Sequence, residues 1–362
     1  MYISSVSHSH DDGHIFVGIK PTERMSTVLV KIDLNGNQLW EKSFFNLGYA
    51  QSVQQTSDGG FILAGKSYGA RDTYARLVKT DSNGSEQWSK TFGLDVRDTT
   101  SSVCETPDGG YILAGDTRWP DNVRKLDAWL LKTDANGNKQ WNRTFGGSGD
   151  DSVYSVQNTL DGGYILAGRT GSDGAGIDAW LIKTDANGYE HWNKTFGVDG
   201  IDLVYSVVQT SDGGYVLAGR IDIAKNPDFK GQILYEDHDV WLFKTDTNGN
   251  LEWSKTIGGL KSDVARFVQQ TSDDGYVIAG TTESYGSGGS DIWLVKISGM
   301  KIDTTQSQVI ISDNNITDNN ITDNNITYNI RTNPGKSIPG FEFLGAVFSV
   351  LIILLSRRRI LY

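Results

Sequence analysis

Apolar residues in this chain come in short words of four or five, bounded by turn residues. Phe61-Ile62-Leu63-Ala64-Gly65 and Ala179-Trp180-Leu181-Ile182 are typical, too short for a helix and rich in β-branched and aromatic side chains. Other words alternate between apolar and polar, as in Ser52-Val53-Gln54-Gln55-Thr56. No stretch before residue 340 carries a helical period. Between the words stand Asp-Gly-Gly and Asp-x-Asn-Gly, whose central residues tolerate positive φ and so mark hairpins. The pattern predicts strands joined by tight turns.

The words also recur in a fixed order. The block from Ser52 to Gly65 returns near Ser102, Ser155, Ser206 and Phe267, and a worn copy runs from Ser5 to Gly18. The aspartate ahead of the glycine pair marks six copies at Asp11, Asp58, Asp108, Asp161, Asp212 and Asp273, spaced 47, 50, 53, 51 and 61 residues apart. Each copy holds four strand words, except that copy six ends at Trp293–Ile297 without the fourth, tryptophan-bearing word. One such sheet cannot bury both faces alone, so copies must stack. Solenoid repeats are usually shorter and seldom all-antiparallel. The expected fold class is therefore all-β: about six blades of four antiparallel strands forming a β-propeller over residues 1–298. Closure of the ring calls for a fourth strand in copy six, supplied either by a segment upstream of Met1 or by Ser307–Ser312 folding back. The upstream segment is the favoured source, because no secretory signal is seen at the N-terminus either.

Residues 299–337 have another character. They are rich in Asp, Asn, Thr and Ser and contain three near-identical units, each with one Asn-x-Thr acceptor, at Asn315, Asn320 and Asn325. Such polarity cannot form a core, so this segment reads as a disordered, glycosylatable stalk. Residues 338–362 follow with Pro339-Gly340-Phe341, an apolar run from Phe343 to Leu355, and Arg357-Arg358-Arg359. The run reads as a C-terminal hydrophobic helix, short for a bilayer, with the arginines on the inner side.

Composition narrows the function. The formal net charge is −11 with no basic stripe, which argues against a nucleic-acid partner. A single cysteine, Cys104, allows no internal disulfide, and its strand context suggests a buried thiol. Ten tryptophans are many, but nine recur in register: Trp40, Trp88, Trp141, Trp192 and Trp253 in the fourth word, and Trp129, Trp180, Trp241 and Trp293 in the third. These are expected between blades. Trp119, in a variable loop, is the exception and could stack on a sugar. The insertion from Ile221 to Asp237 breaks the repeat, and its Lys225, Phe229 and Tyr235 are candidate ligand contacts on a rigid scaffold.

Two series of aspartates recur as well. Asp98, Asp151, Asp202 and Asp263 precede the first word, while Asp127, Asp178, Asp239 and Asp291 precede the third-word tryptophan position. Both should ring one end of the channel, either binding cations or capping backbone N–H groups in their own turns, and the second reading is preferred. Asp134–Asn138 lacks the further ligands of a calcium loop and reads as a turn. No catalytic residue, metal ligand set or cofactor is assigned, calcium being the one ion such oxygen-rich loops would suit. A quinone-cofactor dehydrogenase finds no visible cofactor site.

The words Gly-Gly-Tyr-Ile-Leu-Ala-Gly and Asp-x-Asn-Gly-x-x-x-Trp resemble those of prokaryotic cell-surface propellers, over about residues 1–298. The tail is similar to the archaeal PGF-CTERM sorting signal. That resemblance implies an archaeosortase-like processing enzyme as a partner, acting on Pro339, Gly340 and Phe341 ahead of the run and of Arg357, Arg358 and Arg359. Together these imply a membrane-anchored protein on the extracellular face of the cell. The expected role is non-enzymatic binding or adhesion to a surface glycan or protein, the alternative being a glycan-binding or glycan-degrading protein. If the stalk is glycosylated, native protein will migrate above its calculated mass, and replacing Asn315, Asn320 and Asn325 with Gln will remove most of the excess by mass spectrometry. An unchanged mass would show a bare stalk.

Overall fold

The computed structural model describes residues 2–9, 13–20, 26–45, 47–68, 73–93, 97–118, 125–172, 176–198, 200–222, 238–286 and 289–297, with two short strands at Thr322–Asp323 and Ile326–Thr327. The stalk sites Asn315, Asn320 and Asn325, the sorting motif and the apolar run lie outside the described residues, as do Asp11 and the Ser307–Ser312 segment. Among the described residues no helix is long and apolar enough to cross a membrane.

The strands form the expected blades, five of four strands and one of three, each an antiparallel meander in sequence order. Blade 4 shows the plan: Asp151–Asn158, Tyr164–Thr170, Asp178–Thr184 and Glu190–Phe196. The first strand of each blade lies innermost. These are Tyr2–Ser9, Tyr49–Gln55, Arg97–Glu105, Asp151–Asn158, Leu203–Gln209 and Asp263–Gln270, and each of the first five packs against the first strand of the following blade. Blade 6 has Asp263–Gln270, Tyr276–Thr282 and Asp291–Ile297, with no fourth strand among the described residues. The arrangement is a six-bladed β-propeller.

Packing explains the words. The second and third strands of a blade are sandwiched between neighbours, so Tyr164-Ile165-Leu166-Ala167-Gly168 is buried on both faces and reads as continuous apolar sequence rather than alternation. Fourth-strand tryptophans lean onto the next blade. Trp40 meets Phe61, and Trp88, Trp141, Trp192 and Trp253 meet Tyr111, Tyr164, Tyr215 and Tyr276, at centroid distances of 5.5 to 6.0 Å. Each such aromatic pair adds about 0.5–1.5 kcal/mol to area burial. The Asn-Gly turn of the following blade covers the same ring: a Cβ on Gly249, which has φ +76, would stand 2.7 Å from Cζ3 of Trp192. That glycine is thus required twice, for the turn and for the neighbour's indole. Cys104 is buried as expected, and burial pushes its thiol up to about 12.

The inner circle is joined differently. The backbone N–H groups of Val53, Val103, Val156 and Val268 donate to the hydroxyls of Ser5, Ser52, Ser102 and Ser206 on the preceding blade, at 3.2 to 3.3 Å. In every blade the first strand also carries one residue too many against the second. The extra residues are Ser4, Gln51, Ser101, Tyr154, Tyr205 and Arg266. Such a bulge bends the strand and re-aims a side chain. It also drives a carbonyl toward the glycine closing the Leu-Ala-Gly word: a Cβ on Gly219 would lie far inside van der Waals contact distance of the Leu203 oxygen.

A buried lysine braces each turn. Lys79, Lys132, Lys183 and Lys244 reach from the third strand to Asp58, Asp108, Asp161 and Asp212 of the Asp-Gly-Gly turns, at 2.8 to 2.9 Å. On blade 6 the matching Lys296 is 33% exposed against 4–5% for those four, because its face of the sheet is only partly covered. Gly219→Ala should lower stability by about 3 kcal/mol, since overpacking here is against backbone and cannot relax through a rotamer. Urea unfolding would measure it, and a loss under about 0.5 kcal/mol, within the range of a neutral surface change, would refute the bulge account.

Candidate functional site

Three places on the ring carry polar or aromatic groups in quantity. The first is the end where the first strands begin. Here the third-strand aspartate of one blade approaches the first-strand aspartate of the next. Asp151 Oδ2 and Asp127 Oδ1 lie 2.5 and 2.6 Å from the Cβ position of Gly146, and Asp178 with Asp202, and Asp239 with Asp263, flank Gly197 and Gly258 in the same way. A separation of at most about 5 Å matches the carboxyl pair of a retaining glycosidase. Access does not match it. Asp151, Asp202 and Asp263 are 0% exposed. Their carboxylates accept backbone N–H bonds from Gly147, Val198 and Gly259 at 2.9, 2.6 and 2.9 Å. Thr170 and Ser172 donate to Asp151, and Ser284 donates to Asp263. They cap the inter-blade links, the structural role preferred from sequence. Lys125 pairs with Asp127 at 2.7 Å.

Burial pushes Asp98, Asp116 and Asp202 up to about 6, and the charges of Asp222 and Asp178 add to the effect on Asp202. Asp222 in turn contacts His238 and accepts from the Ile201 N–H at 2.9 Å. Among the described residues no group of three or more His, Cys, Asp or Glu side chains has the geometry to hold a metal ion. The Asp-x-Asn-Gly segments are turns, with Asp134 Oδ1 accepting from the N–H groups of Asn136 and Asn138.

The second place is the outer rim. A cleft of about 220 Å³ between blades 2 and 3 is lined by Phe92, Asp98, Trp129, Lys139 and Asn142. Another of about 370 Å³ between blades 4 and 5 is lined by Leu160, His191, Trp192 and Tyr215. Both are at or below the low end of ligand pockets, which run from about 300 to 1,000 Å³.

The third place is the axis, and it gathers the bulged residues. The rings of Tyr154 and Tyr205 meet at 5.3 Å across blades 4 and 5, and the Arg266 guanidinium of blade 6 lies 4.1 Å over Tyr205. Contact between bulged residues of three successive blades requires that they turn toward the channel, the one space their innermost strands share. Arg169 and Arg220 are paired in register with Ser152 and Leu203, two residues before the bulged tyrosines, where blades 2 and 3 carry Lys66 and Asp116. On blade 2 the bulged residue is the exposed Gln51, and on blade 3 it is Ser101.

Trp119, Lys225, Phe229 and Tyr235 lie outside the described residues, so the candidate site rests on side chains that sequence reasoning passed over. A signal for them did exist. The residue two before the first-strand Val is Ser4, Gln51, Ser101, Tyr154, Tyr205 and Arg266 in successive copies. It takes four identities in six copies, while the Val two positions on is the same in all six.

No protein-family model and no curated protein sequence matches the chain. Solved structures resemble it in fold. A protein of unknown function from Dyadobacter fermentans is 12% identical over 80% of this chain and 93% of its own, with a TM-score of 0.50. The periplasmic gluconolactonase of Pseudomonas aeruginosa is similar at 13% identity, 81% and 88% coverage and a TM-score of 0.48. Sqt1 of Chaetomium thermophilum is similar at 11%, 84% and 84%, and 0.46. At these identities the likeness is one of fold alone. The class is a β-propeller, and a propeller's fold does not name its activity.

The carboxylates fix the pH response. Asp98, Asp116 and Asp202 are raised above their unfolded value, so what they contribute is present at low pH and lost as pH climbs through about 6. Asp58, Asp108, Asp161 and Asp273, held down to about 2 by their lysine and threonine partners, contribute above the unfolded value and lose it as pH falls through about 2. Thermal unfolding should therefore show its highest midpoint at about pH 4, falling towards pH 6 as the raised aspartates ionise and towards pH 2 as the lowered ones protonate. A midpoint that rises steadily to pH 8 would contradict this.

Proposed function

We propose that the protein is a non-enzymatic binding or adhesion protein of the cell surface, whose propeller stands outside the membrane on the Asn-rich stalk and takes its ligand at the axial channel. One observation carries the reading. Six nearly uniform blades carry four kinds of side chain at the one bulged position, two serines, a glutamine, two tyrosines and an arginine, and three of these stack together. Uniform scaffold with local variation is the arrangement in which recognition, rather than packing, accounts for the side chains chosen. The tail's resemblance to an archaeal sorting signal supports attachment, and the acceptor cluster at Asn315, Asn320 and Asn325 supports exposure to a glycosylating compartment.

The glycan-directed alternative draws on the carboxylate pairs. Their separation suits glycoside cleavage, but they lie behind backbone and are occupied by N–H donors, so glycan binding is the form of that alternative with better support.

Two measurements test the proposal. Protease added to intact cells should release the repeat domain, and full protection would refute surface display. On a glycan and surface-protein array, wild-type protein should retain a ligand that Tyr154→Ser/Tyr205→Ser loses by at least tenfold. If Trp119→Ala loses it instead while the channel variant keeps it, the ligand is not axial.

A further inference from the structure

We infer that the sector formed by Tyr154, Tyr205, Arg266, Arg169 and Arg220 is an anion site, and that its ligand is a carboxylate-bearing saccharide. The inference rests on the reading of the channel as the binding site and adds the chemistry of what enters it.

Charge comes first. The chain has a formal net charge of −11, yet arginines stand beside or at the bulged position on three successive blades, Arg169, Arg220 and Arg266, and Tyr154 feels the charge of Arg169. Among the described residues none of the three has a carboxylate within ion-pair distance. Asp202 accepts the N–H groups of Val198 and Asp222, and Asp222 holds Ile201 N–H and His238. Asp116, whose burial dominates its behaviour, takes a Ser152 donor and feels the charge of Arg169 from the following blade, so among the described residues Arg169 is partly balanced while Arg220 and Arg266 are not. The Nε atoms of Arg169 and Arg220 are buried without a hydrogen-bond partner, as are those of Arg76 and Arg143 elsewhere, so the groups left to meet a ligand are the guanidinium ends and above all the exposed Arg266.

Geometry comes second. Arg266 is exposed on an edge strand, where an unsupported arginine would sample many rotamers. Stacking on Tyr205, itself against Tyr154, holds the guanidinium flat. A planar fork held in advance loses less freedom when it takes a carboxylate in bidentate fashion.

The rest of the channel selects among acids. A peptide would add to a strand edge through main-chain bonds. Here the inner edges are already engaged, since Val53, Val103, Val156 and Val268 donate their N–H groups to serines of the preceding blade. What remains at the bulged positions are neutral hydroxyl and amide groups, Ser4, Gln51 and Ser101. Those suit sugar hydroxyls.

The test uses the full chain in detergent micelles, with trigalacturonate and its methyl ester as probes in isothermal titration calorimetry. The acid should bind at least tenfold more tightly than the ester, and should weaken markedly between 50 and 300 mM salt, as a screening length shortened about 2.5-fold would require. Arg266→Gln should weaken the acid at least tenfold without changing the melting temperature, because the side chain is exposed, and Arg266→Lys should fall between. Equal affinity for acid and ester would overturn the anion assignment. Tetraglutamate binding as tightly as trigalacturonate would overturn the saccharide assignment. No binding of either saccharide would overturn the ligand class, while an array ligand lost in Tyr154→Ser/Tyr205→Ser would still sustain the channel as the binding site.

Discussion

A four-stranded sheet whose two middle strands are apolar on both faces has no stable existence in water by itself, and everything in this protein follows from how that is met. Each blade must be covered on both sides by another blade. Stacking about an axis makes the gap between neighbours a wedge, narrow at the centre and wide at the rim. The side chains fill the wedge in order of size. Serine and valine join adjacent blades at the inner circle, while leucine, isoleucine and alanine occupy the middle. At the rim an indole spans the widest part, reaching from the fourth strand to the tyrosine and the turn glycine of the next blade. Blade 6 shows the consequence of incomplete cover, for Phe267, Ile292 and Leu294 on its further face stay partly exposed.

The same wedge makes room for function at its apex. Strands that meet an axis must bend, and a bulge is the local device that bends them. Each bulge leaves one residue that belongs to neither blade face, so packing places no demand on it. That freedom explains why the six positions diverge while their neighbours do not. It also explains why a tyrosine, a second tyrosine and an arginine can assemble there with no effect on the core. Site and scaffold are separated by one residue per strand.

Charge is handled by position rather than by exclusion. Lysines buried between blades are tolerated because each ends on a turn aspartate at the blade's edge. The aspartates at the other end are tolerated because links between blades leave N–H groups that need acceptors. In both cases a repeated polar residue serves the backbone of its own junction, which is why repetition alone was a poor guide to ligand chemistry. The arginines at and beside the bulges differ in being local to three blades, and Arg220 and Arg266 lack such partners among the described residues.

Much of this was open to reading from the chain. Six copies, four strand words per copy, the hairpin turns, the inter-blade tryptophans, the buried Cys104 and the missing fourth strand of the last copy all follow from short-range pattern, because propensity, turn chemistry and alternation act over a few residues. What the sequence could not reveal was which residues share a space. Tyr154, Tyr205 and Arg266 are about fifty or sixty positions apart and sit in words that look alike. A bulge shifts the register by one residue, so simple alternation misassigns the direction of the very side chain it frees. The loop candidates Trp119, Lys225, Phe229 and Tyr235 lie outside the described residues. The convergence of strand residues on an axis exists only once the blades have closed into a ring, and so only the tertiary structure could decide it.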